Sequence, residues 1–394
     1  MDFEPTEEQE MMAAAVHDLV SENFGPEYWR EKEYENEFPT EYWEALAEGG
    51  WLGLVLPEEY GGQGLGALDL SLVIESICAA GAGAAGSWYY LLTPVFGGLG
   101  IARHGTEAQK ERYLPGIVDG TLEFCMGLTE PDAGTNTLAI ETRAERDGDE
   151  FVINGRKMWT SGADRADAML LITRTKPLEA VDRKTDGITL FVVDMPADGV
   201  EIERIHKLGY NYSNTFQVFI DDLRVHEAQV LGTLHDGWRD MHDTINVERI
   251  VNAAGAVGTG ELVIDTAVEY ANEREVFDEP IGAHQGIQFP LAKLKSRLET
   301  ARVLNHKAAW QYDTGRDYVP AMNMAKYEAT ETAFRAADQA MQTHGGVGYA
   351  REYDVERWWR ELRLLRIAPV TQQMALNYVG QHVLGLPRSY GNSG

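Results

Sequence analysis

The sequence has little cysteine. Cys78 and Cys125 are the only two cysteines among its 394 residues. Two thiols cannot build a disulfide framework or a cysteine-based zinc or iron–sulfur site. A single chance disulfide stays open as an alternative, but we expect two buried, reduced thiols.

Long apolar runs are also missing. No run approaches the roughly 18 apolar residues that a membrane-spanning helix needs. The sequence starts with the acidic stretch MDFEPTEEQE, whereas a signal peptide is basic and then apolar. We therefore expect a soluble, cytoplasmic protein with no membrane partner.

Positive charge is scarce. The chain has 34 lysines and arginines against 63 acidic residues, a net charge of -29, and only ten of the 34 are lysines. This balance argues against nucleic acid or an anionic membrane as a partner. An acidic, lysine-poor surface is typical of proteins that stay soluble in concentrated salt. We hypothesise a salt-adapted, halophilic source; an ordinary acidic enzyme is the alternative.

Several common catalytic motifs are absent. The chain contains no G-x-x-x-x-G-K-S/T phosphate loop, no G-x-S-x-G nucleophile turn and no H-E-x-x-H metal motif. Gly61, Gly62, Gly64 and Gly66 do not follow a strand in a βαβ unit, so a dinucleotide-binding fingerprint is not indicated. The histidines are scattered, and we expect no catalytic metal.

The periodicity of the chain changes twice. It predicts a mostly α fold with a central β domain, because strand-length apolar runs such as AMLLITRT and GITLFVVDM lie between helical segments. Thr6-Glu7-Glu8-Gln9 is a capping box at the first helix. The predicted domains are a helical domain over residues 1–122, a β-barrel-like domain of seven or eight strands over 123–232, and a four-helix bundle over 233–394. The four predicted helices of the bundle are 235–273, 283–312, 321–343 and 354–386.

Three stretches suit a flat or phosphorylated ligand. Residues 127–136, GLTEPDAGTN, end a predicted strand in a loop with many hydroxyls and backbone donors. Residues 157–162, KMWTSG, put an indole beside hydroxyls, as for stacking on a flat cofactor. Residues 342–349, QTHGGVGY, put glycines after a helix, where a ligand can approach the backbone. The alternatives are a tight turn, a core tryptophan and a helix C-cap.

Glu248 is the one acid in the stretch TINVERIVNAAG, residues 244–255. The small residues that follow it let another element pack close to this helix. Desolvation there would raise the pKa of the carboxyl toward that of a catalytic base. From the residues alone, a Glu248–Arg249 pair on a solvated helix face is the favoured interpretation.

Taken together, these stretches resemble the acyl-CoA dehydrogenase family over essentially the whole chain. LTEPDAGTNT is similar to T-E-P-x-A-G-S/T-D/N, INGRKMWTSG to N-G-x-K-x-W/Y-I-S/T-N/G, and QTHGGVGY to Q-x-x-G-G-x-G-Y/F. The segment from Glu273 to Phe277 resembles E-R-x-x-F, and Gln285 follows eight residues later. Five signatures in the family's order make chance an insufficient explanation.

The family's fold is a helical domain, a β domain and a four-helix bundle, in agreement with the predicted segments. The resemblance implies FAD between the β domain and the bundle, with a neighbouring subunit covering its adenosine half. It also implies a homo-oligomer, typically a tetramer, with some dimers or mixed tetramers. An arginine suits the FAD diphosphate because its fork binds two oxygens at once.

The resemblance carries over to individual residues. The implied cofactor contacts are Met126, Leu128 and Thr129 on the flavin ring, Trp159 and Ser161 on its other side and edge, Arg274 and Gln285 at the diphosphate of a neighbouring subunit's FAD, Gln342, Gly345 and Gly346 near the same region, and Phe277, Thr371 and Gln373. Thr135 and Arg249 are implied to touch the CoA part of the substrate.

The implied reaction belongs to fatty acid metabolism. A carboxylate removes the α-proton of an acyl-CoA while the β-hydride passes to flavin N5, and the electrons leave through an electron-transfer flavoprotein. The base must be dry, and the thioester oxygen must be stabilised as charge develops on it. A flavin oxidase or monooxygenase, and a non-catalytic subunit of a mixed complex, are the two alternatives.

The chain departs from the family where most members carry the base. That base is a glutamate in a Y/F-E-G-T/S segment after an R-D-A-R-x-x-x-I run, but in RELRLLRIAPVT, residues 360–371, Pro369 takes its position. Proline has neither a carboxylate nor a backbone N–H, and in the family that N–H helps to hold the thioester oxygen.

A minority of members, including the isovaleryl-CoA and long-chain enzymes, carry the base on a bundle helix in an E-R-L/I/V segment. Glu248-Arg249-Ile250 matches this segment, so we predict Glu248 as the base. The source of the donor lost at Pro369 stays open; Val370 N–H or a shifted thioester would serve.

Overall fold

The computed structural model describes residues 4–388; the outermost residues of the first and last predicted domains, 1–3 and 389–394, lie outside the described residues. No helix within the described range is long and apolar enough to cross a membrane. Helices fill the N-terminal part: α1 (Glu7–Asn23), α2 (Pro26–Glu35), α3 (Thr40–Glu48), α4 (Ala67–Ile77), α5 (Ala85–Tyr90), α6 (Gly100–His104) and α7 (Glu107–Val118).

Local sequence signals set the starts of two of these helices. The Thr6 hydroxyl accepts from the Gln9 N–H at 3.3 Å, and the Gln9 side chain accepts from the Thr6 N–H at 3.0 Å. Thr106 and Gln109 form the same capping box at α7. Each box satisfies N–H groups that a helix start leaves unpaired. The capping box predicted at Thr6 is confirmed.

The middle of the chain forms one mixed sheet. Its strands are β1 (Phe124–Gly127), β2 (Arg143–Asp147), β3 (Glu150–Ser161), β4 (Ala168–Arg174), β5 (Ile188–Asp194), β6 (Val200–Arg204), β7 (Thr215–His226) and β8 (Val230–Leu231). The order in the sheet is β6-β7-β3-β2-β4-β5-β8, and β1 pairs with β4 in parallel. β4 is buried throughout and β5 nearly so, which explains their continuous apolar sequences. The predicted β domain of seven or eight strands is confirmed.

Three long helices and two shorter ones follow the sheet in the described part of the chain. They are α8 (Gly237–Glu273), α9 (Gln285–Asp313), α10 (Val319–His344), α11 (Val355–Leu365) and α12 (Gln372–Tyr378), with a short hairpin of β9 (Glu275–Val276) and β10 (Glu279–Pro280) after α8. The prediction of one helix over 354–386 is wrong, because the chain leaves the helix between α11 and α12. Pro369 lies in this break; it has no N–H to donate, and its ring disfavours a helical conformation in the residue before it.

Glycines of α8 allow close packing. A Cβ added at Gly255 would lie 2.7 Å from Ser87 Oγ, and one at Gly258 would lie 2.2 Å from the Glu75 carbonyl oxygen. Only glycine permits such an approach. The close packing predicted for the small residues after Glu248 is confirmed.

The described chain divides into two compact units. One holds the described residues within 1–31, 66–87 and 249–394, and the other holds 32–65 and 88–248. The second unit contains the whole eight-stranded sheet, and Phe151 and Phe191 belong to its core. In the first unit, α4, α8, α9 and α10 meet at a core that includes Ile250 and Met322. The predicted order of helices, sheet and helices is confirmed, and the predicted domain boundaries stay predictions.

Candidate active site

The loop between β1 and β2, residues 128–142, is held by a buried ion pair. Lys157 Nζ lies 2.7 Å from Glu130 Oε1 and also donates to the Leu128 carbonyl at 3.1 Å. The Lys157 side chain is fully buried and that of Glu130 nearly so. Glu130 belongs to the first of the predicted cofactor-binding stretches and Lys157 to the second. The pair therefore joins the two stretches.

Backbone donors complete the surroundings of the Glu130 carboxylate. Glu141 N donates to Oε2 at 2.6 Å, and Thr142 N donates to Oε1 at 3.0 Å. Burial raises the pKa of Glu130, but the Lys157 ammonium and the Glu141 N–H outweigh burial and hold that pKa below its ordinary value. Burial lowers the pKa of Lys157 to about 8, against the opposing effect of Glu130. Both groups are therefore charged at neutral pH.

The tip of the β1–β2 loop is open to ligands. Gly134, Thr135 and Asn136 are exposed, and a Cβ at Gly134 would meet no atom within 4 Å. The Thr137 hydroxyl donates to the Gly134 carbonyl at 3.0 Å and steadies the turn. Thr135, the predicted substrate contact, therefore lies on an ordered and accessible turn.

Arg174 anchors the far end of this loop, and none of the sequence motifs includes it. Its guanidinium donates to the carbonyls of Leu138 at 2.6 Å and Ile140 at 3.2 Å. It also donates to the carbonyls of Lys184 at 2.8 Å and Asp186 at 3.1 Å. One buried side chain thus ties the β1–β2 loop to the loop before β5. The signal for it in the sequence is a single cation at the end of the apolar run AMLLITR.

Trp159 is exposed and has a strained backbone. A β-bulge shifts the register of β3 between Lys157 and Thr160, so Trp159 does not share the buried face with Lys157 as a regular strand would require. Its φ is +62°, a left-handed conformation that is a genuine outlier for a bulky side chain. Trp159 is 54% exposed, so the alternative of a core tryptophan is wrong. Strain of this kind clusters at functional positions.

The unit that contains the sheet, here called the sheet unit, carries other predicted flavin contacts. They lie around the start of the β1–β2 loop. Three of them are half-buried: Met126, Leu128 and Thr129. The Thr129 carbonyl accepts from the Met158 N–H at 2.7 Å, so this group lies beside the residue that precedes Trp159. Ser161 is buried, and its hydroxyl shares a hydrogen bond of 2.8 Å with Thr215. The structure thus brings together the predicted contacts from two separate stretches.

The C-terminal end of α10 exposes its backbone. Gly345 has a φ of +64°, and its N–H donates back to the carbonyls of Gln342 and Met341. It is therefore a helix C-cap, as the alternative interpretation predicts. Gln342, Gly345 and Gly346 are exposed, and a Cβ at either glycine would meet no atom within 4 Å. The segment is therefore a helix C-cap and also leaves its backbone accessible to a ligand.

The β9–β10 hairpin exposes Phe277. Phe277 and Asp278 form its turn, with φ values of +58° and +67°. Two successive left-handed residues are typical of a turn that favours asparagine and glycine. Phe277 is 89% exposed, and Arg274 and Gln285 at the two sides of the hairpin are exposed as well. All three predicted contacts on this segment are therefore accessible.

Glu248 is fully buried in α8, with 0% of its surface exposed. The alternative of a solvated Glu248–Arg249 pair is therefore wrong, although Arg249 is half-buried. One helical turn later, Asn252 is buried as well, and its Nδ2 donates to the Ala368 carbonyl at 3.4 Å. A buried carboxylate of this kind is what proton abstraction from carbon requires.

The segment between α11 and α12 is fixed by Lys326. This fully buried lysine donates through Nζ to the carbonyls of Leu365 at 2.7 Å and Val370 at 2.6 Å. Pro369 lies within the segment, and the Ala368–Pro369 peptide bond is cis. Position 369 therefore offers neither a carboxylate nor an N–H at an otherwise well-held turn.

Thr371 and Gln373 lie at the start of α12. The Thr371 hydroxyl accepts from the Met374 N–H at 3.3 Å and caps the helix. Gln373 is exposed, whereas Gln372 is buried and donates to the Thr330 hydroxyl at 3.1 Å. The Gln373 side chain is therefore accessible to a ligand, whereas the Thr371 hydroxyl is used as the helix N-cap.

The predicted residues fit an aromatic, phosphorylated cofactor. The exposed indole of Trp159 offers a face for stacking. Gly345 and Gly346 leave the backbone open to a ligand, and the exposed Arg274 offers a fork for a diphosphate. Among the residues that the structure describes, no group of three or more His, Cys, Asp or Glu side chains could hold a metal ion.

Known proteins resemble this chain along nearly its whole length. Three family models match it: acyl-CoA dehydrogenase, N-terminal domain, over residues 6–121; the middle domain over 125–223; and the C-terminal domain over 235–384. The chain is 41% identical to acyl-CoA dehydrogenase FadE12 of Mycobacterium tuberculosis, over 98% of this chain and 99% of that protein. It is 33% identical to the 3-(aryl)acrylate reductase of Clostridium sporogenes, over 96% of this chain and 99% of the relative. A structure of glutaryl-coenzyme A dehydrogenase with glutaryl-CoA superposes with a TM-score of 0.93 at 31% identity, covering 99% of this chain and 98% of the other.

Proposed function

The chain belongs to the acyl-CoA dehydrogenase family, and we propose that it oxidises an acyl-CoA between the α- and β-carbons with Glu248 as the base. FAD is the cofactor of this family, and when bound it supplies the acceptor for the hydride of the β-carbon. The residues of the chain bind and orient both molecules, exclude water and take up the α-proton.

The burial of Glu248 carries this proposal. A carboxylate with no exposed surface is shielded from water, as a base that removes a proton from carbon must be. Taking up the α-proton turns it into a neutral acid, the form that a buried site favours. Position 369 supplies no carboxylate, so the chain has no competing group at the position used by most members.

The predicted FAD contacts fall on both units, and several of them, Trp159, Arg274, Phe277, Gln285 and Gln373 among them, have exposed side chains. On the sheet unit these are Met126, Leu128, Thr129, Trp159 and Ser161. On the helical unit they are Arg274, Phe277, Gln285, Gln342, Gly345, Gly346, Thr371 and Gln373. A stacking indole, open glycines and an exposed guanidinium are the groups that a flavin ring and a diphosphate need.

Thr135 and Arg249 are the proposed contacts to the CoA part of the substrate. Thr135 is exposed on the tip of the β1–β2 loop, where its hydroxyl is available to a polar ligand. Two anchors fix that loop, Glu130 at one end and Arg174 at the other. A pre-ordered loop loses less conformational entropy when it binds a long, flexible substrate.

Anaerobic mixing with a panel of acyl-CoAs tests the proposal. We expect a suitable acyl-CoA to bleach the flavin of the wild-type protein, and Glu248→Gln to retain FAD while bleaching at least about a hundredfold more slowly. Glu269→Gln is the matched control, because Glu269 is exposed on the same helix and should leave the rate unchanged. A Glu248→Gln protein that bleaches at the wild-type rate removes Glu248 from the role.

The same preparation separates the alternatives. Fast reoxidation of the reduced flavin by oxygen would indicate an oxidase or a monooxygenase. Purification as a one-to-one complex with a homologous chain, without turnover alone, would indicate a non-catalytic subunit. With neither result, reduction of an added electron-transfer flavoprotein would support that protein as the electron acceptor.

The assembly, the location and the salt response of the enzyme stay predictions. We infer a homo-oligomer, a tetramer or a dimer, which light scattering will measure. We also infer a cytoplasmic enzyme from a salt-adapted source. Loss of structure at low salt with recovery in molar salt would support salt adaptation, whereas indifference to salt would contradict it.

A further inference from the structure

The side-chain amide of Asn252 is buried and makes one long hydrogen bond. It is 1% exposed in α8, and its Nδ2 donates to the Ala368 carbonyl at 3.4 Å, beyond the usual range for an N–H···O bond. Within the described residues, its Oδ1 has no hydrogen-bond partner. The group that bears on a ligand oxygen is Nδ2, because Oδ1 can only accept a hydrogen bond. Nδ2 carries two N–H donors, and its hydrogen bond to Ala368 uses one of them.

The Asn252 amide lies beside the position at which the backbone N–H donor of other family members is missing. Ala368, which accepts the Asn252 hydrogen bond, directly precedes Pro369. Pro369 stands where other family members offer a backbone N–H to the thioester oxygen, and proline has none. A side-chain amide carries two N–H donors, and the Ala368 carbonyl accepts only one hydrogen bond from it.

The reaction needs such a donor. When the α-proton leaves, negative charge develops on the thioester oxygen, and a fixed N–H aimed at that oxygen lowers the barrier. Asparagine side chains can fill this role. Glu248 is one helical turn before Asn252, a spacing that puts side chains about 5–6 Å apart at their Cβ atoms. A base and a donor on one helix face can therefore serve the adjacent α-carbon and carbonyl of one thioester.

We propose that the Asn252 amide donates the hydrogen bond to the thioester oxygen that Pro369 cannot donate. This inference rests on the proposed function. Glu248 takes the α-proton and becomes neutral, and the C–H electron pair delocalises onto the thioester oxygen. The Asn252 N–H holds that oxygen without giving up its proton. FAD, when bound, would accept the hydride from the β-carbon, and the electron pair would then return to form the α,β double bond.

Three variants test the donor. Asn252→Leu removes both polar atoms, and Asn252→Asp keeps the shape but replaces the N–H₂ group with a carboxylate oxygen. Asn323→Leu is the matched control, because Asn323 is another buried asparagine that donates to one backbone carbonyl, that of Val319. We expect both Asn252 variants to keep bound FAD and to bleach about 10²–10³-fold more slowly with acyl-CoA, while the control stays within a few-fold of wild type.

A spectroscopic measurement separates a donor from a packing residue. An α,β-unsaturated aryl-acyl-CoA absorbs at longer wavelength when its thioester oxygen accepts a strong hydrogen bond. Wild type and Asn323→Leu should shift this absorbance on binding, and the Asn252 variants should bind the same ligand without the shift. If Asn252→Leu folds poorly, the isosteric Asn252→Asp decides by the same shift.

Two failures remain distinguishable. A wild-type protein that is bleached by acyl-CoA, with Asn252 variants that bleach and shift equally, overturns the role of Asn252 alone. A wild-type protein that no acyl-CoA bleaches and that shifts no bound thioester overturns the proposed function, and the role of Asn252 with it.

Discussion

Lys157 and Glu130 form a buried ion pair, 2.7 Å between Nζ and Oε1, that joins the two predicted cofactor-binding stretches, residues 127–136 and 157–162. Neither residue is itself a predicted contact to FAD or CoA. Their function is to hold Leu128, Thr129 and the backbone before Trp159 in one arrangement. Binding loops that are fixed in advance by buried polar contacts lose less entropy when a ligand arrives.

Glu130→Gln will destabilise the protein in a pH-dependent manner. The substitution leaves the Lys157 ammonium buried without its anion, which costs about 3–5 kcal/mol. Because the pKa of Glu130 is lowered by folding, its contribution is complete above the ordinary carboxyl pKa and is lost as pH falls through the lower folded value. Urea unfolding should therefore show a large gap between wild type and variant at pH 7 that narrows below about pH 4.5.

The double variant Glu130→Gln, Lys157→Met is the control for this prediction. Replacing both charges leaves no unpaired ion in the interior, so it should be more stable than Glu130→Gln alone. A double variant as unstable as the sum of the two single variants would show that the pair contributes no coupling energy.

Arg174→Met will weaken substrate binding more than it slows chemistry. The loop that carries Thr135 loses the donor for the carbonyls of Leu138 and Ile140 and samples more conformations. We expect KM for the acyl-CoA to rise about tenfold, equivalent to roughly 1.4 kcal/mol, while kcat stays within about threefold. Arg156→Met, which removes an exposed arginine from β3, should change neither. A fall in kcat with KM unchanged would contradict this role for Arg174.

Trp159→Gly will weaken FAD binding and stabilise the apoprotein. Glycine adopts a φ of +62° without the strain that tryptophan bears there, which is worth about 1–3 kcal/mol. Since the indole is largely exposed, little packing is lost. The apoprotein should therefore unfold at higher urea concentration, while the Kd for FAD, from a flavin fluorescence titration, rises about threefold to tenfold as stacking is lost. Trp159→Phe keeps both the strain and an aromatic face, and it should change both quantities less.

Short-range patterns were sufficient to predict much of the fold. The Thr6 capping box and the strand-length apolar runs are local signals, since they depend on hydrogen bonds and burial that repeat with the period of one element. The close packing beside Gly255 and Gly258 follows from residue size alone. The burial of Glu248 was harder to predict, because the adjacent arginine made a solvated pair the favoured interpretation from the residues alone.

Long-range contacts explain what the sequence could not predict. Arg174 binds carbonyls up to 36 residues away, and Asn252 reaches a carbonyl 116 residues away. No periodicity encodes such pairs. The left-handed conformation of Trp159 follows from a bulge against β7, which depends on the register of the partner strand. The break at Pro369 had a clear local signal, but the apolar pattern continues on both sides of it and suggests one helix.

The two buried lysines have a practical consequence for handling this protein. Lys157 and Lys326 are both 0% exposed, and both donate to backbone carbonyls. Amine-acylating reagents cannot reach them in the native chain, yet all ten lysines of the sequence become reactive on unfolding. A mass spectrum after brief acylation thus shows, for each molecule, whether Lys157 and Lys326 are still protected. Their protection reports whether the β1–β2 loop and the α11–α12 segment keep their native contacts. The scarcity of lysine keeps that spectrum simple enough for the two late-reacting amines to be counted.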